Sequence, residues 1–131
     1  MLIILFGNLN NGMNAFFDWN LILNSSGGPN HVSNFCCSPI MLTKDNKNYI
    51  KTLTYFYIGH FSKYIKPKAI RIGYSKFTNK IEVSSFQNPD GSIVVVLFNQ
   101  TNEDVNFNLY LNGSYFHDNL AKHSIVSFVI S

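Results

Sequence analysis

The sequence predicts a mainly β protein that ends in a β-sandwich, and three observations lead to this prediction. Residues 93–98 form an unbroken apolar run, which is typical of a central strand. Apolar and polar residues alternate through residues 105–111, so one face of that strand is buried and the other is wetter. Polar turn residues separate these short segments at the spacing that is typical of sandwiches.

The predicted sandwich occupies residues 69–131, and residues 69–74 lead into its first strand. Asn88–Gly91 forms a tight turn, because proline fixes φ and glycine supplies the positive φ that the turn needs. Asn112 and Gly113 then turn the chain back towards its last strand. The predicted strands are residues 81–87, 92–99, 105–111 and 124–130.

The part of the chain before the sandwich contains one convincing helix, at residues 53–66. Leu53, Tyr57 and Phe61 fall on one face of this helix, and Pro67 stops it. Other elements are shorter. Residues 2–7 form the tail of a helix or a buried strand, which the Asn- and Gly-rich residues 8–14 end, and residues 15–23 form a buried strand. Short extended pieces are expected at residues 32–35, 40–42 and 49–50, with a hairpin tip at residues 45–48.

Composition excludes several classes of function. The chain has 131 residues, 46% of them hydrophobic and only 13% charged, which argues against disorder. Its net charge of +3 comes from scattered lysines, so we expect a solvated surface and no nucleic-acid partner. The histidines and cysteines lack metal-ligand spacing, so no metal or cofactor is expected, and the adjacent Cys36 and Cys37 are expected to be free, packed thiols. The apolar start, residues 1–6, is too short for a transmembrane segment and has no signal-peptide pattern.

Asp18, Trp19 and Asn20 interrupt the predicted strand at residues 15–23. Polar groups inside an apolar strand cost free energy unless each finds a partner. They therefore sit either at a strand end that faces a cleft or in a satisfied structural network, in which Trp19 would be a core residue. An acid, an indole and an amide together suit a sugar, because the indole covers the apolar face of the ring and the polar groups bind hydroxyls.

Several blocks, in order along the chain, resemble the C-terminal part of a glucosylceramidase-like enzyme of glycoside hydrolase family 30. The blocks are Asp18–Leu21, Gly27–Asn30, Asn34–Phe35, Ser38–Ile40, Gly59–Lys63 and Pro89–Ser92. The resemblance implies that residues 1–68 are a partial (β/α)8-barrel remnant, with one strand, a small β excursion and one helix, and that residues 69–131 are the family's side β-sandwich. It also implies substrate-binding roles for three residues. Trp19 would line the glucose pocket, Asn34 would lie at its rim, and Asp18 would flank the indole.

Enzymes of this family resemble other retaining glycosidases, which use one glutamate as nucleophile and another as acid/base. In the family both belong to earlier barrel strands, and Glu82 and Glu103, the only glutamates here, match neither motif. We therefore expect no catalytic residue in this chain, and turnover of a β-glucoside or glycosylceramide-like substrate only together with the missing barrel. The resemblance also places Met1 inside a longer enzyme. The compartment stays open, although family members are often secreted or lysosomal.

Two other hypotheses remain at this point. The chain could be a free-standing β-sandwich that binds carbohydrate or another protein, or a fragment without function. Residues 15–66 discriminate among them, because a binding module has no need of a barrel strand and helix. Without barrel neighbours these residues would expose apolar faces, so we expect association through those surfaces.

Overall fold

The computed structural model describes residues 2–131, which divide into two compact units. One unit combines the residues up to Asn14 with His60–Ser131, and the other is Ala15–Gly59. The boundary at residue 68 that the sequence indicated stays a prediction. The elements are α1 (Leu2–Asn10), β1 (Ile22–Leu23), β2 (Ile40–Leu42), β3 (Tyr49–Lys51), α2 (Leu53–Ser62), β4 (Ile70–Arg71), β5 (Ile81–Gln87), β6 (Ile93–Asn99), β7 (Val105–Leu111), β8 (Ser114–Leu120) and β9 (Ile125–Ile130).

The first unit is built on an antiparallel sheet with the strand order β4-β5-β6-β9. Its central strand β6 is the apolar run of the sequence, and residues 94–97 are all buried. The β7–β8 hairpin forms a second sheet whose inner face packs on the first. The rings of Phe107 and Phe128 meet edge to face, with centroids 5.9 Å apart. Two sheets around a common apolar core confirm the predicted sandwich.

Helix α1 packs on the other face of the four-stranded sheet. Its buried Phe6 meets Phe61 edge to face, with centroids 5.2 Å apart, and lies 6.2 Å from the ring of Phe98. Ser84 of β5 donates a hydrogen bond of 2.9 Å from its hydroxyl to Asn10 Oδ1. Because a buried hydroxyl costs free energy unless it is paired, this bond fixes where the helix end lies on the sheet.

His60 and Ser127 make a second polar contact on this face of the sheet. The register places Ser127 in the same cross-strand row as Ser84, on either side of Val96. His60 Nδ1 lies 2.9 Å from Ser127 Oγ, which in turn lies 3.3 Å from the His60 carbonyl oxygen. Burial lowers the pKa of His60 below its ordinary value of 6.5. These contacts confirm that His60 is a packed, hydrogen-bonded helix residue.

The predicted turn between β5 and β6 is centred on the buried side chain of Asn88. Its Oδ1 accepts a hydrogen bond of 2.9 Å from the Lys66 backbone amide. Its Nδ2 donates to the Tyr64 carbonyl and to Ser92 Oγ, both at 3.0 Å. Asn88 therefore fastens the segment after α2 to the sandwich.

The second unit contains a small sheet with the order β1-β2-β3. Strand β1 pairs parallel with β2, and β2 pairs antiparallel with β3. The predicted hairpin tip lies between β2 and β3, where the Thr43 amide donates to the Asn48 carbonyl at 2.9 Å. The Thr43 hydroxyl donates to Asp45, which lowers the pKa of that carboxyl.

Three elements of the upstream region differ from the sequence prediction. The buried strand expected at residues 15–23 is paired only at Ile22–Leu23, and its remaining residues are irregular and mostly exposed. A strand needs hydrogen-bonded neighbours as well as apolar residues, and only β2 pairs with β1. The piece expected at residues 32–35 is not a strand, because Ser33 has φ 58° and bends the chain. Helix α1 continues to Asn10, past the expected end at residue 7.

Two further predictions are wrong nearer the C-terminus. Helix α2 ends at Ser62, four residues before the expected end, and turns follow it. Strand β8 was not predicted, because its polar and aromatic residues do not alternate regularly with apolar ones. The register shows the reason: β8 is held by its seven pairs with β7, and six of its seven residues are exposed. Among residues 2–131, no helix is both long and apolar enough to cross a membrane.

Candidate functional site

Trp19 lies on an irregular segment just before β1, and its side chain is 85% exposed. Its backbone amide donates a hydrogen bond of 2.8 Å to Oδ1 of Asp18. The carboxylate of Asp18 thus supports the local turn and is itself exposed. The alternative of a core tryptophan is wrong, and the indole is open to a ligand.

The loop after β1 is held by the side chain of Asn24. Its Oδ1 accepts hydrogen bonds from the backbone amides of Ser26, at 3.0 Å, and Gly28, at 2.9 Å. The backbone amide of Asn24 donates to the Gly28 carbonyl at 2.7 Å. One asparagine therefore closes the loop that contains the two glycines of the Gly-Gly-Pro-Asn block.

Gly27 is a point of close approach between two backbone segments. Its φ is +85°, and a Cβ at this position would lie 2.4 Å from the Cys36 carbonyl oxygen. The Cys36 amide donates to the Gly27 carbonyl at 3.1 Å. Only glycine fits here, because any side chain would push against backbone atoms that cannot move independently.

Asn34 lies two residues before Cys36 and is exposed. Its backbone and side-chain oxygens are 3.7 and 3.9 Å from Cys36 Sγ, which are weak contacts. Through residues 2–131, no side-chain hydrogen bond joins Asn34 to Asp18 or Trp19. The structure thus leaves Asn34 available and brings its segment close to β1 through Gly27.

The segments that contain Trp19 and Asn34 are aligned by backbone pairing. Ile40 donates its amide to the Leu21 carbonyl at 3.1 Å, and β1 runs parallel to β2 from there. Because the two strands are parallel, they run in the same direction and their N-terminal ends lie at the same edge of the sheet. Both predicted site residues therefore precede strands that start at the same end.

Three carboxylates elsewhere in the chain form ion pairs with lysine side chains. Glu82 Oε2 lies 3.2 Å from Lys76 Nζ, and Glu103 Oε2 lies 3.5 Å from Lys80 Nζ. Asp90 pairs with Lys66, whose ammonium holds the pKa of that carboxyl well below its usual range. A neighbouring ammonium group favours the ionised form of each of these surface carboxylates.

The thiols of Cys36 and Cys37 are free, as predicted, although Cys37 is exposed and not packed. Neither belongs to a metal centre. In the part of the chain that the structure describes, no three His, Cys, Asp or Glu side chains are grouped so that they could hold an ion.

Comparison with known proteins assigns the upstream part and the C-terminal part of the chain to one class of protein, the glycoside hydrolases. Residues 3–65 match the glycosyl hydrolase family 30 TIM-barrel domain, and residues 68–128 match the glycosyl hydrolase family 30 beta sandwich domain. The chain belongs to glycosyl hydrolase family 30. The fold class inferred from the resemblance, a β-sandwich after a short piece of barrel, is thereby confirmed.

Three similar proteins illustrate this assignment. Lysosomal acid glucosylceramidase from Mus musculus is 40% identical over 89 residues, which are 67% of this chain and 17% of that protein. SrfJ from Salmonella typhimurium has a TM-score of 0.94 and 32% identity, over 98% of this chain and 29% of that one. An endo-β1,6-glucanase has a TM-score of 0.87 and 27% identity, over 96% and 29%. The chain thus spans less than a third of the length of each.

Proposed function

We propose that this chain is the C-terminal part of a glucosylceramidase-like retaining β-glycosidase. It supplies the side β-sandwich and one wall of the sugar pocket, and the two catalytic glutamates belong to barrel strands outside residues 1–131. The single observation that best supports this proposal is the exposed indole of Trp19, which lies on the irregular segment before β1 in a chain that matches both domains of the family.

The substrate class follows from the relatives and from the side chains of the pocket wall. One relative is named a glucosylceramidase and another an endo-β1,6-glucanase, so both names describe cleavage of β-glucosidic bonds. An exposed indole offers an apolar face for a glucose ring and an N–H for a hydroxyl. Asn34 adds a free side-chain amide at the rim of the pocket. The carboxylate of Asp18 accepts a hydrogen bond from the backbone amide of Trp19. We propose a β-glucoside or glycosylceramide-like substrate.

The state of the carboxylates supports an external source of the catalytic pair. Retaining hydrolysis requires two carboxyl groups about 5–5.5 Å apart, one of them with a raised pKa. Glu82 and Glu103 are each paired with a different lysine. Neither is therefore proposed as nucleophile or acid.

The test is hydrolysis of a chromogenic β-glucoside by the 131-residue chain and by the same chain extended upstream to a complete barrel. We expect turnover only in the extended form. In that form Trp19→Ala should lower kcat/KM by roughly tenfold or more, the loss of one good hydrogen bond to the sugar. Phe77→Ala is the matched control, since Phe77 is an exposed aromatic outside the site.

Other outcomes would contradict different parts of the proposal. Turnover by the short chain would place the catalytic groups within residues 1–131. An inactive extended form would exclude the glycosidase assignment and leave a free-standing binding module. Equal losses from Trp19→Ala and Phe77→Ala would remove Trp19 from the pocket.

A further inference from the structure

The β7–β8 hairpin presents three facing pairs of amide, imidazole and phenol side chains on its outer face. The inner residues of β7 pack into the sandwich core, so the intervening ones point to solvent. All six residues of the three pairs are exposed. We call this set the outer ladder, and its pairs are Asn106 with Asn119, Asn108 with His117, and Tyr110 with Tyr115.

The two polar pairs of the outer ladder are held in fixed orientations. Asn119 Nδ2 donates to Asn106 Oδ1 at 2.8 Å, and His117 Nδ1 donates to Asn108 Oδ1 at 2.8 Å. Among residues 2–131, these bonds leave the amide nitrogens of Asn106 and Asn108 as donors and Asn119 Oδ1 as an acceptor. A ligand therefore meets both kinds of polar group, already oriented.

The aromatic pair lies at the turn end of the outer ladder. The ring centroids of Tyr110 and Tyr115 are 4.7 Å apart, and their planes are inclined by 43°. Their exposed fractions are 58% and 73%, so each ring keeps open apolar surface beside a hydroxyl. Tyrosines at this exposure present rigid amphipathic surface at a small entropic cost, because the ring has few rotatable bonds.

The chemistry of the outer ladder defines its ligand. It contains no carboxylate, lysine or arginine, so it has no partner for a strongly charged ligand. Its three rows are spaced by two residues along each strand, so they span roughly 14 Å along the hairpin. A strip with aromatic surface at one end and amides along its length suits an extended molecule that alternates apolar faces with hydroxyl groups.

We propose that the outer ladder binds a neutral polysaccharide chain, with one sugar ring stacked on Tyr115 and hydroxyl groups bound by the amides of Asn106 and Asn108. This site lies on the sandwich and includes none of Asp18, Trp19 and Asn34. Binding here requires no hydrolysis, so it does not depend on the proposed glycosidase function. In an enzyme that acts on a polymer, the site would hold the chain at the sandwich surface.

The test is titration calorimetry of the 131-residue chain with a soluble mixed-linkage β-glucan as the neutral probe. We expect saturable binding, and Tyr115→Ala should weaken it about tenfold, the effect expected of one lost stacking contact. Tyr115→Phe should stay within about twofold, because it keeps the ring. Phe77→Ala should leave the affinity unchanged, since Phe77 is an exposed aromatic residue that does not belong to the outer ladder.

Each remaining outcome overturns the proposal. Absence of heat up to millimolar sugar units would exclude the site, and an unchanged affinity in Tyr115→Ala would exclude the ladder. Loss of all binding in Trp19→Ala would assign the glucan to the indole, and this result would leave the proposed glycosidase function intact. Equal affinity for carboxymethylated glucan would contradict a neutral ligand. If Tyr115→Ala fails to fold, Asn108→Ala tests the neighbouring row in the same titration.

Discussion

At the scale of single residues, the most constrained side chain is that of Asn99, at the end of β6. It is fully buried, and its Nδ2 donates to the carbonyls of Glu103 at 2.7 Å, Leu120 at 3.0 Å and Ala121 at 3.1 Å. Its Oδ1 accepts from the amide and hydroxyl of Thr101, at 2.9 and 2.8 Å. The side-chain amide of Asn99 thus pairs with backbone groups of the loop between β6 and β7 and with backbone carbonyls at the end of β8.

Replacing Asn99 by alanine should lower the free energy of unfolding by about 2–4 kcal/mol, because several buried carbonyls and an amide lose their partners at once. Urea denaturation followed by circular dichroism measures this difference. Asn102→Ala is the control: Asn102 is exposed, and its Oδ1 lies 2.8 Å from His123 Nε2, so the change should stay within about 0.5 kcal/mol. A similar small loss in Asn99→Ala would show that water replaces the side chain.

At the scale of elements, the polar row formed by Ser84 and Ser127 ties two helical segments to one sheet. Ser84 binds the end of α1, and Ser127 binds His60 near the end of α2. The row contains a titratable group, and burial lowers the pKa of His60 below 6.5. We therefore expect the contact between His60 and Ser127 to depend on pH.

The pH dependence has a defined sign. An imidazole whose pKa is lowered by folding is protonated more readily in the unfolded chain, so its contribution is fully present above about pH 6.5 and is lost as the pH falls below that value. We expect the free energy of unfolding to decrease between pH 7 and pH 5, and this slope should be smaller in His60→Gln. The exposed His31→Gln serves as control and should keep the slope.

Equal slopes in the native chain and His60→Gln would contradict this assignment. Below about pH 4 the carboxyls of Asp45 and Asp90 add a second loss. Their pKa values are lowered by Thr43 and Lys66, so protonation in this range favours the unfolded chain. The two pH ranges separate the histidine from the carboxylates in one titration.

At the scale of the whole molecule, the unit of residues 15–59 exposes many large apolar side chains. Phe17 is the extreme case, with 90% of its surface exposed. Soluble monomers rarely expose apolar surface of this extent. The exposed set in this unit comprises Phe17, Trp19, Leu21, Ile22, Val32, Phe35, Tyr49, Ile50, Leu53 and Phe56.

We expect the 131-residue chain alone to self-associate in a concentration-dependent manner, because association removes this surface from water. The double variant Phe17→Ser with Leu21→Ser should shift the equilibrium towards monomer, and sedimentation velocity over a range of concentrations measures the shift. Phe77→Ser is the control, since Phe77 is fully exposed but lies outside this unit. A native chain that stays monomeric at every concentration would contradict the prediction.

The sequence by itself determined the family, the sandwich and most of its strands. Apolar runs and alternation reveal β5, β6, β7 and β9, because a strand buried on one or both faces leaves that pattern in its own residues. The turn at Asn88–Gly91 was equally visible, because proline and glycine restrict φ locally. Short motifs also led to the prediction that residues 18–40 contain site residues, which stays a prediction.

Only the tertiary structure decided which of these side chains are accessible and which are paired. The strand expected around Trp19 lacks partners among the described residues, so the indole is exposed and not buried. Strand β8 exists because β7 pairs with it, and its mostly exposed residues record nothing of that pairing in their order. Asn99 depends on Leu120 and Ala121, which lie 21 and 22 positions further along the sequence. Hydrogen bonds and burial between distant segments are properties of the fold, so no local pattern could predict them.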